Sequence, residues 1–299
     1  MIPAPTREGT VDFRGWTTWF RISGDLDCAL TPLVVLHGGP GAAHNYTLAI
    51  AGLADEGRPV IHYDQLGCGN STHLPDRGEQ FWTVDLFVEE LENLLSGLGV
   101  ADDFHLLGQS WGGMLGAEFA VRRPRGLRSL VISNSPASMD LWVSEATRLR
   151  ALMPEDVRNA LDRHERDGTI SDPEYLAATQ AFYDRHVCRV LPNPPEVLRS
   201  MELVGEDATV YSTMNGPNEF YCIGTLRSWS IVERVSQIDV ATLLASGRYD
   251  EATPATMQPF FDSIPDVRWE IFEESSHMPF VEQTDEYLRV VGAFLRDHD

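Results

Sequence analysis

The stretch that most constrains this chain runs Phe104-His105-Leu106-Leu107-Gly108-Gln109-Ser110-Trp111-Gly112 and continues through Gly113-Met114-Leu115-Gly116-Ala117-Glu118-Phe119-Ala120-Val121. The apolar run before Gly108 reads as a strand, and the segment after Gly112 reads as a helix ended by Pro124. The pentapeptide Gly108-Gln109-Ser110-Trp111-Gly112 must therefore turn the chain sharply between them. Strand, tight turn and helix around G-x-S-x-G is the context in which a serine is held at a strained φ/ψ. Glycine two residues to either side removes the Cβ atoms that would clash, so the hydroxyl projects above the sheet edge. Ordinary glycine-rich turns carry such strings too, so the meaning of Ser110 depends on what the rest of the chain supplies.

The chain supplies βα units in order. Residues 10–15 and 16–22 alternate around a glycine, as a hairpin of two early strands would. Thr31-Pro32-Leu33-Val34-Val35-Leu36 is an unbroken apolar run suited to a strand buried on both faces, and it leads into His37-Gly38-Gly39-Pro40-Gly41. A glycine-rich loop at the carboxyl end of a strand exposes backbone N–H groups. Such a loop provides one oxyanion donor, here assigned to Gly39, while the residue after the nucleophile, Trp111, provides the other. A second buried strand over 58–63 ends in Asp64-Gln65-Leu66-Gly67-Cys68-Gly69-Asn70-Ser71. A helical stripe follows over 83–98, then the Ser110 unit, then a strand over 127–133. This alternation predicts a parallel sheet with helices on both faces.

At about Pro136 the pattern changes. Residues 139–232 contain no buried strand, and helices are predicted over 141–152, 156–167, 173–187 and 196–203, separated by Pro and Gly. The βα rhythm resumes with a strand over 240–247, a helix over 254–264, a strand over 267–272 and a helix over 284–296. The expected organisation is a core over 1–136 and 235–299 split by a helical cap over 137–234, with a pocket between them.

A serine nucleophile needs a base, and the base needs a carboxylate to fix its tautomer. In the order serine, acid, histidine, Asp250 follows the resumed strand in Gly247-Arg248-Tyr249-Asp250, and His277 follows the last strand in Glu273-Glu274-Ser275-Ser276-His277. Ser110, Asp250 and His277 thus arrive in sequence at three strand ends.

Composition narrows the partners. Against 45 acidic residues stand 23 basic ones, all arginine, for a net charge of -22. This field repels phosphate backbones and anionic membranes and favours a cationic small molecule. Cys28, Cys68, Cys188 and Cys222 form no C-x-x-C pair, so no metal site or disulfide framework is expected, and a reducing cytoplasmic setting fits. No apolar stretch approaches the roughly 18 residues of a membrane span.

Together, His37-Gly38-Gly39-Pro40-Gly41, Asp64-Gln65-Leu66-Gly67-Cys68-Gly69, Gly108-Gln109-Ser110-Trp111-Gly112-Gly113 and Gly247-Arg248-Tyr249-Asp250 resemble the proline iminopeptidase family over nearly the whole chain. The likeness is strongest to the branch holding the tricorn-interacting aminopeptidase and the L-amino-acid (prolinamide) amidases. It implies an α/β-hydrolase fold with an inserted helical cap and no metal or organic cofactor. It also implies cleavage of the amide bond after an unblocked N-terminal amino acid in a small amide or short peptide. Thr213-Met214-Asn215-Gly216-Pro217-Asn218-Glu219-Phe220 resembles the segment of that branch whose glutamate grips the substrate α-ammonium, and Glu251 matches a second glutamate that follows the catalytic Asp. Prolyl-specific members commonly carry Arg where this chain has Leu66, which departs from strict prolyl specificity. Tyr46, Trp111, Phe220 and Tyr221 are expected to line the side-chain pocket. The competing readings are a general carboxylesterase or lactonase of the same fold, and a non-catalytic binding module. The first has no need of Glu219 and Glu251, and the second has no need of a full triad.

Overall fold

The computed structural model describes residues 2–299. Eight strands form one sheet in the order β1-β2-β4-β3-β5-β6-β7-β8. They are β1 (Arg7–Phe13), β2 (Trp16–Ser23), β3 (Leu33–Leu36), β4 (Val60–Tyr63), β5 (Phe104–Gln109), β6 (Leu127–Ser133), β7 (Ala241–Gly247) and β8 (Val267–Phe272). The hairpin β1–β2 and the β2–β4 pair are antiparallel, and every pair from β4 to β8 is parallel. Every residue of β3, β4 and β5 is buried, which explains why these strands read as continuous apolar runs.

Strand order reverses at β3, which pairs with β4 on one side and β5 on the other. Crossovers leave this point in opposite directions, so the loops after β3 and β5 splay apart above the sheet and open a crevice between them. The glycine-rich loop and the Ser110 turn are those two loops.

Helix α1 (Val84–Leu98) starts at Thr83, whose hydroxyl accepts the Leu86 N–H, and ends at Gly99 in the left-handed conformation. Helix α2 (Trp111–Ala120) is buried along its whole length, so it is apolar all round rather than striped. Between β6 and β7 lie α3 (Met139–Ala151), α4 (Glu155–Asp167), α5 (Pro173–His186), α6 (Pro195–Glu206) and α7 (Thr209–Met214). Helices α8 (Pro254–Ser263), α9 (Pro279–Glu282) and α10 (Thr284–Arg296) complete the chain. The pattern reading missed the short helices α7 and α9 and the 3₁₀ segments Asn45–Glu56, Thr225–Ser228 and Val232–Gln237. All are too short or too tightly wound to show a 3.6-residue stripe.

Polar anchors hold the helical insertion onto the sheet-bearing part. The Tyr46 N–H donates to Ser200 Oγ at 3.0 Å, and the Glu251 N–H donates to the His186 carbonyl at 3.2 Å. Glu118, buried on α2, accepts from Arg234 at 2.5 and 2.8 Å and from the Trp229 indole at 3.0 Å. Among the described residues no helix is long and apolar enough to cross a membrane.

One buried carboxyl makes stability depend on pH. Glu90 of α1 is fully buried and accepts from the Thr18 hydroxyl at 2.5 Å and from the Leu66 N–H at 2.9 Å. Burial pushes its pKa up to about 7 despite these donors. The folded state therefore keeps a proton that the unfolded chain releases, and stability falls as pH rises from the ordinary carboxyl value through 7. Replacing Glu90→Gln adds a constant offset but removes this slope. Between pH 4.5 and 8 the variant should gain about 3 kcal/mol relative to the parent. Urea unfolding at several pH values measures it, and parallel curves for the two proteins would refute it.

Candidate active site

Ser110 stands at φ 55°, ψ −122°, a backbone conformation costly for a residue with a Cβ. The two flanking glycines make it attainable. A Cβ on Gly108 would lie 2.0 Å from the Gly112 carbonyl oxygen, and one on Gly112 would lie 2.1 Å from the Leu36 carbonyl oxygen. The strand, the turn and the first turn of α2 are therefore packed backbone against backbone, with no room for a side chain.

The loop after β3 approaches the turn from the other side of the crevice. Gly39 takes φ 108°, which favours glycine. Its neighbour Gly38 donates its N–H to the Tyr46 hydroxyl at 2.6 Å. Tyr46 in turn donates to Gln109 Oε1, and Gln109 Nε2 donates to the His277 carbonyl at 3.0 Å. Gln65 completes the bracing: its Nε2 donates to the His37 carbonyl at 3.0 Å and its Oε1 accepts the Trp111 indole N–H at 2.8 Å. His37 is locked as a neutral ring, donating from Nδ1 to the Gly38 carbonyl and accepting the Gln65 N–H at Nε2, and burial lowers its pKa to about 4. Among the described residues the Gly39 and Trp111 backbone N–H groups donate to no protein acceptor. Both residues border the space at Ser110.

The acid and base come from the ends of β7 and β8. Gly247 allows their loops to touch, because a Cβ there would meet the Ser276 carbonyl oxygen at 1.9 Å. His277 Nδ1 lies 2.6 Å from Asp250 Oδ1, while Asn134 Nδ2 donates to Asp250 Oδ2 at 2.6 Å and the Ala252 N–H donates to Oδ1 at 2.9 Å. Burial alone would lower the His277 pKa. The charge of Asp250, its hydrogen bond and the Glu219 carboxylate outweigh that, so the net shift is upward. The other ring nitrogen, Nε2, lies 3.9 Å from Glu251 Oε1. Ser110 and His277 open into one cavity but form no hydrogen bond in this conformation; such pairs often close only around a substrate.

That cavity, about 540 Å³, is also lined by Glu219 and Glu251. Glu219 is positioned by a turn that its own segment builds. Gly216 takes φ 144°, Asn218 Oδ1 accepts the Phe220 and Tyr221 N–H groups, and Asn218 Nδ2 holds the Tyr175 hydroxyl at 2.6 Å. Glu219 Oε1 accepts from the Tyr211 hydroxyl at 2.5 Å. Glu251 is buried, and among the described residues neither carboxylate oxygen has a hydrogen-bond partner. Burial raises both pKa values, and for Glu251 the nearby Glu219 and Asp250 charges add to the rise.

Of the residues expected from sequence, Ser110, Asp250, His277, Gly39, Trp111, Glu219, Glu251 and Tyr46 converge here. The aromatic expectation fails for two. Phe220 is buried against Phe182 and Tyr183, and Tyr221 packs with the same cluster, so neither lines the cavity. The Asn218 turn fixes Glu219 toward the cavity and sends the next two side chains away from it. Tyr175, Tyr183, Tyr211 and Trp142 take the aromatic role instead: the first three line the cavity, and the Trp142 indole donates to the Glu219 carbonyl at 2.6 Å and stands edge-on to His277. Asn134, Gln65 and Gln109 also went unread; Gln109 could have been found as the variable position of G-x-S-x-G. Leu66 is fully buried in the core and contributes no charge to the site.

The strained serine, the buried Asp–His pair and the paired loops are those of a serine hydrolase of the α/β-hydrolase class. Residues 31–284 match the family described as alpha/beta hydrolase fold. The chain is 38% identical over 294 residues to a proline iminopeptidase of Clostridium botulinum, covering 98% of this chain and 99% of that one. It is 39% identical to one of Lactobacillus delbrueckii subsp. lactis, with the same coverage. Among solved structures, VinJ superimposes with a TM-score of 0.98 at 52% identity, covering 99% of this chain and 100% of that one. A proline iminopeptidase of Mycobacterium smegmatis gives 0.92 at 52% identity, with 98% of each covered. The chain belongs to the proline iminopeptidase family of α/β-hydrolases.

Tyr46→Phe tests the bracing. It leaves the Gly38 N–H and the Gln109 carbonyl without partners, at a cost of about 1–3 kcal/mol in denaturant unfolding. With the Gly38-Gly39 loop loosened, kcat should fall on the order of tenfold, short of the 10²–10³ expected for deleting an oxyanion donor outright. Unchanged kcat would show that the loop does not need the tyrosine.

Proposed function

We propose that this enzyme hydrolyses the amide bond that follows an unblocked N-terminal amino acid, as an L-amino-acid amide hydrolase or a proline iminopeptidase-like aminopeptidase. One observation carries the reading: a buried carboxylate, Glu251, with both oxygens unpartnered among the described residues, beside Glu219 in the cavity that holds Ser110 and His277. Two desolvated carboxylates repel, and a proton or a cation resolves the conflict. A substrate α-ammonium supplies the cation at the position where an aminoacyl group presents it.

In this reading Ser110 Oγ attacks the carbonyl carbon as His277 Nε2 takes its proton, and Asp250, itself held by Asn134, keeps the proton-bearing Nδ1 in place. The Gly39 and Trp111 N–H groups receive the oxyanion. The C–N bond breaks as His277 returns the proton to the leaving nitrogen, and water then releases the amino acid from Ser110 by the same steps. Residues 137–234 act as a cap that keeps water from the glutamates, and the unpaired cysteines suit a cytoplasmic setting. A carboxylesterase or lactonase would leave the two glutamates without a task.

Free L-prolinamide and L-alaninamide should be cleaved at least a thousandfold faster than their N-acetylated forms, because a blocked amine leaves buried acceptors unmatched. Glu251→Gln should erase most of that ratio, and Ser110→Ala should abolish turnover. Equal rates on free and blocked amines would remove the clamp. Because the base must be neutral and the His277 pKa is raised, kcat/KM should climb with pH through an apparent pKa above the ordinary histidine value. A pH–rate profile reads this directly, and an acid limb below that value would contradict the His277–Asp250 pairing as drawn.

A further inference from the structure

Outside the cavity, a charged pair crosses from the loop after β4 to the helical insertion. His73 Nδ1 lies 2.6 Å from Asp207 Oδ2, and His73 Nε2 lies 3.0 Å from the Gly69 carbonyl oxygen. Carboxylate and carbonyl oxygens only accept, so both ring nitrogens carry protons and the ring is an imidazolium. The contact is an ion pair, and solvent reaches part of both side chains.

Each half of the pair is built into its own segment. On the sheet side, Gly69 takes φ 58° and packs so closely on Asp64 that a Cβ there would meet the carboxylate at 2.3 Å, while Asp64 Oδ2 accepts the Asn70 N–H at 2.8 Å. The motif from Asp64 to Gly69 thus fixes the carbonyl that orients His73. On the insertion side, Asp207 follows the end of α6, and its Oδ1 accepts the N–H and the hydroxyl of Thr209, the first residue of α7, at 3.0 and 2.6 Å.

Helix α7 has six residues, too few to be stable without outside contacts. Val210 and Tyr211 rest on the loops after β4 and β3: a Cβ on Gly67 would lie 2.4 Å from Val210 Cγ2, and one on Gly41 would lie 3.3 Å from the Tyr211 nitrogen. Its placement bears directly on the cavity, because the Tyr211 hydroxyl donates to Glu219 Oε1.

Resting on the aminoacyl reading above, we propose that His73 and Asp207 are positioning residues for the α-amine clamp: their ion pair seats α7, and α7 through Tyr211 holds Glu219 toward the bound ammonium. Burial alone would lower the His73 pKa, but the Asp207 hydrogen bond, the Gly69 carbonyl and the Asp207 and Asp64 charges outweigh it, and the net shift is upward. Burial alone would raise the Asp207 pKa, and the Thr209 and His73 hydrogen bonds turn that shift downward. The other carboxylates in the last turns of α6, Glu202 and Glu206, are paired with Arg199. The His73–Asp207 pair is therefore intact below the raised His73 value and is lost as pH climbs through it.

Hydrolysis of L-alaninamide by the parent, His73→Gln and Asp207→Asn, from about pH 5.5 to 9, tests the proposal. At the acid end both variants should raise KM about tenfold with kcat within about twofold of the parent, the pattern of a lost binding contact. The variant-to-parent KM ratio should then shrink toward one as pH passes the His73 value, because the parent loses the pair as well. The substrate ammonium, Glu219, Glu251 and His277 titrate in all three enzymes and cancel in that ratio. KM values equal to the parent's in both variants, or a ratio that stays flat with pH, would overturn the proposal. So would equal proportional losses on L-alaninamide and on 4-nitrophenyl propanoate, an ester without an amine, since these would mark general damage to the fold. A parent that cleaves L-alaninamide and its N-acetyl form at equal rates would overturn the aminoacyl reading itself.

Discussion

The site depends on a contact between backbones. Helix α2 begins so close to β5 and β3 that the carbonyl oxygens of Gly112 and Leu36 occupy the space where side chains at 108 and 112 would start. That contact holds Ser110 at its positive φ, aims the Trp111 N–H along the axis of α2 into the crevice, and fixes its distance from the loop after β3. Gly247 repeats the device on the other side, bringing the loop of Asp250 against the loop of His277. Contacts of this kind have no rotamers through which to relax. The catalytic groups are therefore placed by the sheet's own geometry, and the strain at Ser110 is sustained by the packing around it.

Neutral side chains do the rest of the positioning. Gln65, Gln109, Asn134 and Tyr46 tie the loops after β3, β5, β6 and β8 to one another without adding a charge. This leaves the field in the cavity to Asp250, Glu219, Glu251 and His277. Their compensation is graded. Among the described residues Asp250 has the imidazole, an amide and a backbone N–H, Glu219 has one tyrosine hydroxyl, and Glu251 has no hydrogen bond at either oxygen. The charge left least satisfied by the protein is the one a bound cation stabilises most.

The chain announced its sheet and its triad because both follow from simple periodicities. Buried parallel strands are unbroken apolar runs, and Ser110, Asp250 and His277 sit where three of those runs end. The bounds of β1 shifted to Arg7–Phe13 because exposed hairpin strands carry weaker patterns. The cavity wall was hidden for a different reason. Along α5, Leu176, Tyr183 and Val187 form a stripe, and a stripe says that a helix has an apolar face without saying whether that face meets another helix or an open chamber. Phe220 and Tyr221 are hidden similarly: both follow Glu219 in sequence, but the Asn218 turn rotates successive side chains apart.

In the proposed ammonium clamp, the two glutamates owe their selectivity to the helical insertion rather than to their own chemistry. Of 45 acidic residues, most face water, where charges attract a cation only within a screening distance of about 8 Å at physiological salt and cannot choose among cations. Glu251 lies below α5 because the insertion passes over it and its N–H is fixed to the His186 carbonyl. Desolvation then raises its pKa, and the proximity of Glu219 raises it further. An ammonium that displaces the retained proton gains an ion pair in a dry site and relieves a like-charge repulsion at the same time, and an acylated amine can do neither. The same glutamate on an open surface would be one more acid among many, so the specificity proposed for it belongs to the packing of α5 over the end of β7.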